Sequence, residues 1–455
     1  MTAARAAAPE ALPWRDRRLH FVGVGGAGMS GYARAAHALG AQVSGSDRAS
    51  SPFLTRLRQD GVLEASLGHA AENLPAGDDV ELVYSAAIPP ENPERAAARA
   101  RGLTEHSRAD LLSELTGLRR TIAVAGAAGK TTTASMTVHA LRGAGLRPGW
   151  LVGAPVGAGL PNACWSDGEW LVVEADESDR SLLRLHVEIA VLTNVALDHH
   201  DTYGSLAELR EVFRTFLAAA PQSVVWDRPD LIALASGPVV AYDAVGAHLD
   251  GGGSRVSWRG HELVLTVPGE HNATNAVAAL EAARLAGADE ARAVAALATF
   301  SGAGRRFERL GRHRSGALVV DDYAHHPEKV AATLRGARTL GADRLVAVFQ
   351  PHLFSRTAAL AREFGQALAL ADVVVVLDVY PARERAADHP GVSGLTIAET
   401  TADAAHGRPV YWLPSFAAAQ AVLDRLLRPG DVCLVMGAGD VDALGRALVG
   451  AGGGS

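Results

Sequence analysis

The stretch T-I-A-V-A-G-A-A-G-K-T-T-T, residues 121–133, decides the fold class of this chain. Its first five residues form a short apolar run that predicts a buried strand, and the Ala- and Thr-rich residues after the glycines predict a helix. In such a turn, backbone amides can surround phosphate oxygens, a lysine can reach the β- and γ-phosphates, and a threonine hydroxyl can bind Mg²⁺. The residues predicted to bind nucleotide phosphates in this way are Gly126, Gly129, Lys130 and Thr131.

An earlier glycine turn, G-V-G-G-A-G at residues 23–28, also lies between a predicted strand and a predicted helix. The pattern G-x-G-x-x-G, with Asp47 ending the next strand, is typical of dinucleotide-binding folds. The start of the helix would receive phosphates, and Asp47 would lie near a ribose. A purely structural turn is the alternative, and nothing in the pattern indicates hydride transfer. The residues predicted to bind the nucleotide part of a substrate are Gly25, Gly26, Gly28 and Asp47.

Two turns of this kind in separate parts of the chain predict two domains. Apolar runs after Ala317, separated by helix-length Ala-rich segments, predict a third sheet that is mostly parallel. The length of 455 residues fits three domains of about 150 residues each. We therefore predict an α/β chain with an N-terminal Rossmann-like domain, a central P-loop-type ATPase domain with a mostly parallel sheet, and a C-terminal Rossmann-like domain. The predicted bounds are 18–116, 117–302 and 303–450.

Composition excludes several classes of protein. The 43 Lys and Arg residues are outnumbered by 50 Asp and Glu residues, giving a net charge of −7, so the chain lacks the positive field that attracts nucleic acid. Two cysteines without zinc-ligand spacing exclude a disulfide framework and a zinc module. No signal-like segment or apolar run of membrane-spanning length is present. We expect a cytoplasmic protein without membrane insertion, whose partners are small molecules; its oligomeric state stays open.

Polar residues at the ends of predicted central strands indicate a metal site. Glu174 ends one buried strand, while Asn194, Asp198 and His199 follow another. In doubly wound sheets, ligands bind at this carboxyl edge. A carboxylate and an imidazole beside a phosphate turn suit Mg²⁺ that neutralises a transferring phosphoryl group. Taken singly, each residue fits a surface acid or a hydrogen-bonded loop histidine better than a metal ligand, but their convergence with Lys130 favours the metal site.

The third predicted sheet has a similar polar edge. Tyr323 and His325 follow one of its strands, and His352 follows another, which favours substrate contact along this edge. Arg305 and Arg306 lie in the predicted linker before the sheet. Their guanidinium groups can bind phosphate across an interdomain cleft, or form an interdomain salt bridge.

Nine strings that occur in order closely resemble the Mur ligase family, over nearly the whole chain. They are H-F-V-G-V-G-G-A-G-M-S-G from His20, G-A-A-G-K-T-T-T from Gly126, E-A-D-E-S-D from Glu174, T-N-V-A-L-D-H-H-D from Thr193, G-E-H-N-A-T-N-A from Gly269, R-R-F-E from Arg305, V-D-D-Y-A-H-H-P from Val320, F-Q-P-H-L-F-S-R-T from Phe349 and G-A-G-D from Gly437. The resemblance implies a UDP-binding N-terminal domain, a central ATPase domain and a C-terminal domain that closes over the site.

The strings are most similar to the branch of the family that joins L-alanine to the lactyl carboxylate of UDP-N-acetylmuramate. The resemblance implies that ATP gives ADP and phosphate through an acyl phosphate, in peptidoglycan precursor synthesis. A carboxylate is a poor electrophile because its oxygens cannot leave, so phosphorylation supplies a leaving group before the amine attacks. The implied cofactors are ATP and Mg²⁺.

The resemblance also assigns roles to individual residues. It implies that Lys130 holds phosphates, that Thr131 and Glu174 bind one Mg²⁺, and that His199 helps to bind a second. The residues implied to contact the nucleotide from the far side of the cleft or at its adenine are His271, Asn275, Arg306 and Asp322. The residues implied to handle the substrate and the amino acid are Tyr323, His325 and Arg356, and those implied in catalysis are Lys130, Glu174, His199 and Arg356.

The chain departs from the family pattern at two places. Ala127 and Ala128 replace the Thr and His of the usual G-T-H-G-K-T turn, and Leu353 replaces the arginine of the usual P-H-R string. These losses remove a hydroxyl, an imidazole and a guanidinium from the presumed reaction centre. Three alternatives therefore stay open: a paralogue with a different acceptor, a weakly active nucleotide-binding regulator, and a dehydrogenase that uses the first glycine turn.

Overall fold

The computed structural model describes residues 12–85, 87–157, 159–196, 202–250, 253–382 and 384–450. The chain forms two compact units. The first comprises the residues up to Pro155 together with Gly159–Ala241 and Glu281–Ala288, and the second comprises the remainder. Three mostly parallel sheets flanked by helices account for most of the secondary structure, as predicted. Within the described ranges, every helix is too short or too polar to cross a lipid bilayer.

The first sheet of the first unit is wholly parallel, in the order β3-β2-β1-β4-β5. The chain moves outward from β1 on one side and then returns to β4 on the other, so the glycine turn after β1 lies at the switch point where such folds bind ligands. The strands are β1 Arg18–Val22, β2 Gln42–Asp47, β3 Ser66–Leu67, β4 Val80–Tyr84 and β5 Glu105–Ser107. The helices are α1 Ala27–Ala38, α2 Pro52–Gln59, α3 Pro93–Ala100 and α4 Arg108–Gly117.

The second sheet of the first unit has seven strands in the order β12-β11-β10-β6-β9-β7-β8. Its central strands β6, β9 and β10 are parallel neighbours and almost continuously buried, which explains why their sequences are apolar throughout. The strands are β6 Arg120–Ala125, β7 Gly149–Leu151, β8 Ala163–Cys164, β9 Trp170–Ala175, β10 Ile189–Leu192, β11 Gln222–Trp226 and β12 Val239–Tyr242. The helices are α5 Lys130–Gly143, α6 Leu206–Ala218 and α7 Pro229–Ile232.

The second unit contains a small antiparallel sheet and a six-stranded sheet. The six strands follow the order β16-β17-β21-β18-β19-β20, and only β16 is antiparallel to its neighbour. The strands are β13 His248–Asp250, β14 Gly253–Trp258, β15 His261–Leu265, β16 Glu308–Arg312, β17 Leu318–Asp322, β18 Arg344–Phe349, β19 Val373–Val376, β20 Val410–Trp412 and β21 Asp431–Met436. The helices are α8 Glu270–Leu285, whose residues from Glu281 belong to the first unit, α9 Glu290–Leu297, α10 Pro327–Arg338, α11 Phe354–Ala359, α12 Ala361–Leu368, α13 Gly394–Ala404, α14 Phe416–Leu426 and α15 Asp442–Gly450.

A buried carboxylate supports the first glycine turn from below. Glu94 on α3 is completely buried and accepts hydrogen bonds from His20 and the Ser46 hydroxyl, at 2.8 and 2.7 Å. The Ser46 carbonyl in turn accepts the amides of Gly23 and Val24 at 2.9 and 3.1 Å. The packing of α3 and the path of the turn are therefore coupled through one buried polar cluster.

We expect Glu94→Gln to reduce the acid sensitivity of the fold. Burial raises the pKa of the Glu94 carboxyl, but hydrogen bonds from His20, Ser46 and Asn73 outweigh it and lower the pKa to about 2. Because the pKa of Glu94 is lower in the folded state, its ionised carboxylate stabilises the fold at pH values above the unfolded pKa of about 4.3. This stabilisation, about 3 kcal/mol, is lost as the pH falls toward the folded pKa. Denaturant unfolding below about pH 5 should therefore show a steeper loss of stability in the parent than in the variant.

The control for this prediction is Glu64→Gln. Glu64 has a 74% exposed side chain and forms a surface ion pair with Arg58, so its removal should keep the parent's slope. Equal slopes for the parent and Glu94→Gln would contradict the stabilising role of the buried cluster.

Candidate active site

The second glycine turn adopts a conformation that requires glycine at two positions. Gly126 has a φ of 130° and Gly129, which precedes α5, has a φ of 83°. A Cβ on Gly126 would lie 2.2 Å from the Thr193 hydroxyl oxygen. The turn therefore approaches the segment after β10 more closely than any side chain permits, and it leads into the positive end of a 14-residue helix.

Thr193 and Asn194 hold this turn in place. The Thr193 hydroxyl donates to the Ala128 carbonyl at 2.6 Å, and the Asn194 side-chain amide donates to the same oxygen at 2.8 Å. The Ala128 amide donates back to Asn194 Oδ1 at 2.9 Å. These bonds use only backbone atoms of Ala128, so the backbone of the turn is braced without the family's usual imidazole.

Lys130 lies across the turn with its ammonium group paired. Its Nζ donates to the Gly126 carbonyl and to Glu177 Oε2, both at 2.7 Å, and Asp176 lies 4.0 Å away. Burial lowers the pKa of Lys130, but the charges of Glu177 and Asp176 outweigh it, and the pKa is raised. The lysine is therefore a permanent cation at the predicted phosphate site.

The motifs in the sequence do not single out Glu177, although it lies in the string E-A-D-E-S-D. Its side chain is 1% exposed, and its backbone carbonyl accepts a hydrogen bond from the Tyr203 hydroxyl at 2.5 Å. The sequence shows a second glutamate three residues after Glu174. Only the folded chain shows that this glutamate is buried and pairs with Lys130.

Glu174 lies at the end of β9, as predicted, and borders a cavity. The Gly153 amide donates to Glu174 Oε1 at 2.6 Å. The cavity has a volume of about 130 Å³ and is lined by Gly28, Gly31, Tyr32, Arg108, Leu112, Leu151, Val152, Gly153, Glu174, Asp176 and Ser181. It therefore joins the helix after the first glycine turn to the predicted metal ligand. Carboxylate and hydroxyl oxygens, which Glu174 and Thr131 offer, are the donors that Mg²⁺ prefers.

Asp47 closes the first glycine turn. Its Oδ2 accepts the Gly25 amide at 2.7 Å, and the Ser51 hydroxyl donates to the Gly25 carbonyl at 2.7 Å. The Asp47 carboxylate thus lies beside the turn where a nucleotide is predicted to bind, and it also shapes that turn. Gly26 precedes α1, and Gly28 lies in the first helical turn.

The second unit brings several predicted residues together at the end of β17. Asp322 accepts the Phe307 amide at 2.8 Å and the Ala324 amide at 2.9 Å. The Arg306 guanidinium lies 4.4 Å from the centre of the Tyr323 ring, and the His325 ring packs edge-on against the same tyrosine. Arg306, Asp322, Tyr323 and His325 therefore form one cluster, in which the buried Asp322 fixes the backbone.

Arg305 binds within the second unit. Its guanidinium donates to the carbonyls of Gly439 and Gly437 at 2.8 and 2.7 Å, and it lies 3.3 Å from the buried Asp321 carboxylate. Burial raises the pKa of Asp321 to about 7, against the opposing effect of Arg305. Arg305 therefore stabilises the edge of the C-terminal sheet where the G-A-G-D string begins.

The remaining predicted residues lie at the following places. His271 and Asn275 are on α8, with His271 exposed and Asn275 buried, and Arg356 is on α11. Asp198 and His199 lie outside the described residues. Among the described residues, no group of three or more His, Cys, Asp or Glu side chains is arranged to hold a metal ion.

Three family models match the chain in order. The "Mur ligase family, catalytic domain" matches residues 18–120, the "Mur ligase middle domain" matches residues 124–283, and the "Mur ligase, glutamate ligase domain" matches residues 305–439. The chain belongs to the Mur ligase family. The matches together cover most of the sequence, in agreement with the resemblance carried by the nine strings.

Individual proteins to which the chain is similar include ligases that act on UDP-N-acetylmuramate or on murein peptides. A UDP-N-acetylmuramate–L-alanine ligase of Rubrobacter xylanophilus is 42% identical over 449 residues, covering 95% of this chain and 99% of that protein. The crystal structure of a UDP-N-acetylmuramate-alanine ligase from Thermotoga maritima matches with a TM-score of 0.83 and 27% identity, covering 95% and 98%. A murein peptide ligase from Psychrobacter arcticus matches with a TM-score of 0.72 and 25% identity, covering 96% and 99%.

Leu353, where the sequence lacks the usual family arginine, is a packed residue in this Mur ligase. Its side chain is 6% exposed, and its φ of 69° is unusual for leucine. Its amide donates to the Tyr380 carbonyl at 3.0 Å, and its carbonyl accepts the Thr357 hydroxyl at 2.7 Å. Leu353 precedes the first residue of α11. An arginine at this position would place a guanidinium where a buried apolar side chain now packs.

We expect Gly126→Ala to impair nucleotide binding in this Mur ligase. The added Cβ would collide with the Thr193 hydroxyl. The turn would also force alanine into a positive φ, which costs about 1–3 kcal/mol. Gly145→Ala is the matched control, because Gly145 also has a positive φ but no atom within 4 Å of its Cβ position. Titration with an ATP analogue should show at least about tenfold weaker binding for Gly126→Ala alone. Equal affinities in the two variants would contradict the account of the turn.

Proposed function

We propose that this Mur ligase joins L-alanine to the lactyl carboxylate of UDP-N-acetylmuramate, with conversion of ATP to ADP and phosphate. The reaction belongs to cytoplasmic synthesis of peptidoglycan precursors, and it thereby serves cell-wall formation, cell shape and cell division. The observation that carries the proposal is the cavity that extends from Gly28, beside the predicted UDP site, to Glu174, beside the phosphate turn. The names of the full-length relatives support the same choice of substrates.

The chemistry proceeds in two balanced steps. A lactyl carboxylate oxygen attacks the γ-phosphorus of ATP, ADP leaves, and an acyl phosphate forms. The amino group of L-alanine then attacks the carbonyl carbon, a proton leaves the nitrogen, and inorganic phosphate departs with the former carboxylate oxygen. Positioning and charge stabilisation supply most of the catalysis in phosphoryl transfer.

Lys130 is proposed to stabilise the transferring phosphoryl group. It already lies at the turn as a buried cation, and Gly126 and Gly129 give the backbone its phosphate-binding path. Thr131 and Glu174 are proposed to hold one Mg²⁺, and His199 to help to hold a second. When bound, Mg²⁺ supplies positive charge that neutralises the phosphate oxygens.

The other proposed contacts lie in separate parts of the chain. Gly25, Gly26, Gly28 and Asp47 are proposed to receive the UDP group. His271, Asn275, Arg306 and Asp322 are proposed to contact ATP. Tyr323, His325 and Arg356 are proposed to handle the amino acid and the reacting carboxylate. Tyr323 and His325 cluster with the Arg306 guanidinium, and phenol and imidazole groups beside a cation suit a zwitterionic amino acid and its acyl phosphate partner.

The test of this function is ADP release measured with each substrate omitted in turn. We expect release only when ATP, Mg²⁺, UDP-N-acetylmuramate and L-alanine are all present. A panel of amino acids, with the tripeptide L-alanyl-γ-D-glutamyl-meso-diaminopimelate included, separates an alanine ligase from a peptide ligase. Preference for another acceptor would reject the L-alanine assignment, and UDP-sugar binding without turnover would instead indicate a regulator.

We expect Lys130→Ala to abolish ADP formation while UDP-N-acetylmuramate still binds with nearly the parent's affinity. The ammonium group lies at the phosphate turn, and a charge-assisted phosphate contact is worth about 1.5–3 kcal/mol, or more where charge is being transferred. Because this variant leaves Glu177 buried without its cation, Lys130→Ala combined with Glu177→Gln is the control for folding. Retained ligase activity in either variant would reject the role of Lys130.

We expect Glu174→Gln to raise the Mg²⁺ concentration needed for half-maximal activity more than it raises the KM for ATP. The amide preserves the shape of the side chain but removes the negative charge that favours the metal. Glu169→Gln, near the opposite end of β9 and 80% exposed in the side chain, is the matched control. Superimposable Mg²⁺ titrations for the parent and Glu174→Gln would show that this carboxylate is not a metal ligand.

A further inference from the structure

Arg108 extends from the start of α4 to the cavity that joins the two predicted sites. The helix begins at this residue because Ser107 and Asp110 form a capping box, in which the Ser107 amide donates to Asp110 at 2.7 Å. Arg108 lines the cavity together with Gly28 and Glu174. The capping box therefore fixes the backbone position of Arg108, and its side chain lines the cavity.

The guanidinium group lies beside the first turn of α1. Arg108 Nη1 is 3.6 Å from the position that a Cβ on Gly28 would occupy. The first hydrogen bond of α1 runs from the Ser30 amide to the Gly26 carbonyl at 2.9 Å, so the amides of residues 27–29 precede the helical ladder. Amides at this position and the helix dipole together favour an anion.

Two carboxylates balance Arg108 in this structure. Its Nη2 lies 3.0 Å from Asp179 Oδ2 and 3.8 Å from Asp176 Oδ2. Burial lowers the pKa of Arg108, but electrostatic interactions with Tyr32, Asp179 and Asp176 outweigh that effect, and the pKa is raised. The group is therefore a constant cation, and Asp176 also lies 4.0 Å from Lys130 Nζ. Arg108 thus connects the helix at the UDP site with the acidic segment beside the phosphate turn.

We propose that Arg108 binds the diphosphate of the UDP-sugar substrate, together with the first amides of α1. The assignment rests on the proposed function, because it supplies a contact within the same substrate site. A diphosphate is the anion that fits here, since a planar guanidinium can donate to two phosphate oxygens and the neighbouring helix start supplies further donors. The lactyl carboxylate, by contrast, has to reach the γ-phosphate beside Lys130.

The alternative role for Arg108 is an ion pair that only joins two segments of the first unit. The chain provides a control for this role in Arg184, which pairs with Asp110 of α4 from the segment after β9. The Ser113 hydroxyl donates to the Arg184 carbonyl at 2.6 Å, and Arg184 does not line the cavity. Arg184→Gln therefore removes an ion pair between the same two segments without altering the cavity.

The experiment measures the affinity of the full chain for three compounds, in the presence of Mg²⁺ and a non-hydrolysable ATP analogue. UDP, UDP-N-acetylglucosamine and UDP-N-acetylmuramate all carry the diphosphate, and only the last carries the lactyl carboxylate. We expect Arg108→Gln to weaken all three by about tenfold or more, and Arg108→Lys to recover part of the loss. Arg184→Gln should bind all three like the parent, and the affinity for the ATP analogue should be unchanged throughout.

Asp179→Asn is the second variant, and it keeps the test valid if Arg108→Gln folds poorly. This variant removes the nearest negative charge from Arg108. If Arg108 binds the diphosphate, the three compounds should bind with unchanged or higher affinity. If the ion pair is purely structural, their affinity should fall. Equal losses in Arg108→Gln and Arg184→Gln, or a loss in Asp179→Asn, would overturn the assignment. A loss confined to UDP-N-acetylmuramate would place Arg108 on the carboxylate and overturn the diphosphate contact. A parent that binds none of the three compounds would reject the proposed function as well.

Discussion

The pairing of the Lys130 ammonium with the Gly126 carbonyl and the Glu177 carboxylate is the interaction on which the central domain depends. A buried cation requires a partner, and Glu177, itself almost completely buried, provides one at 2.7 Å. The glycines before α5 permit the path that brings the lysine there, and Thr193 and Asn194 hold that path from the next strand. If phosphate binds at this turn as proposed, it meets a cation whose position is already set, and little reorganisation has to precede the chemistry.

One hairpin of the central domain contacts both the start of α1, which follows the first glycine turn, and Glu174 on β9. After β7, the Gly153 amide binds Glu174, and the Val152 amide binds the Asn162 carbonyl. The Asn162 side-chain amide donates to the Ala27 carbonyl at the start of α1, at 2.6 Å. The proposed metal ligand and the proposed UDP-binding helix are thus linked through a few short bonds. This geometry fits the proposal that the substrate presents its carboxylate near Glu174 while its diphosphate binds at the first glycine turn.

The sequence predicted the fold class, and the places of several candidate site residues within it, because those features are local. Strand, glycine and helix patterns identified both turns, and Lys130 and Glu174 lie where their motifs placed them. Thr193 and Glu177 were missed as contributors, although they lie inside quoted strings, because their role depends on contacts between strands distant in sequence. Arg108 had no motif at all, since its importance comes from the cavity it lines. Leu353 was interpreted from a missing guanidinium, but its burial and positive φ show a position used for packing.

This Mur ligase is proposed to activate a carboxylate by phosphorylation before the amine attacks. The most direct test supplies UDP-N-acetylmuramate with ¹⁸O at both oxygens of the lactyl carboxylate, together with ATP, Mg²⁺ and L-alanine, and measures the isotopic mass of the phosphate released. Because phosphate departs with the former carboxylate oxygen, the account predicts one ¹⁸O atom in each phosphate formed during ligation. Unlabelled phosphate accompanying labelled amide product would contradict the acyl phosphate and the account built on it.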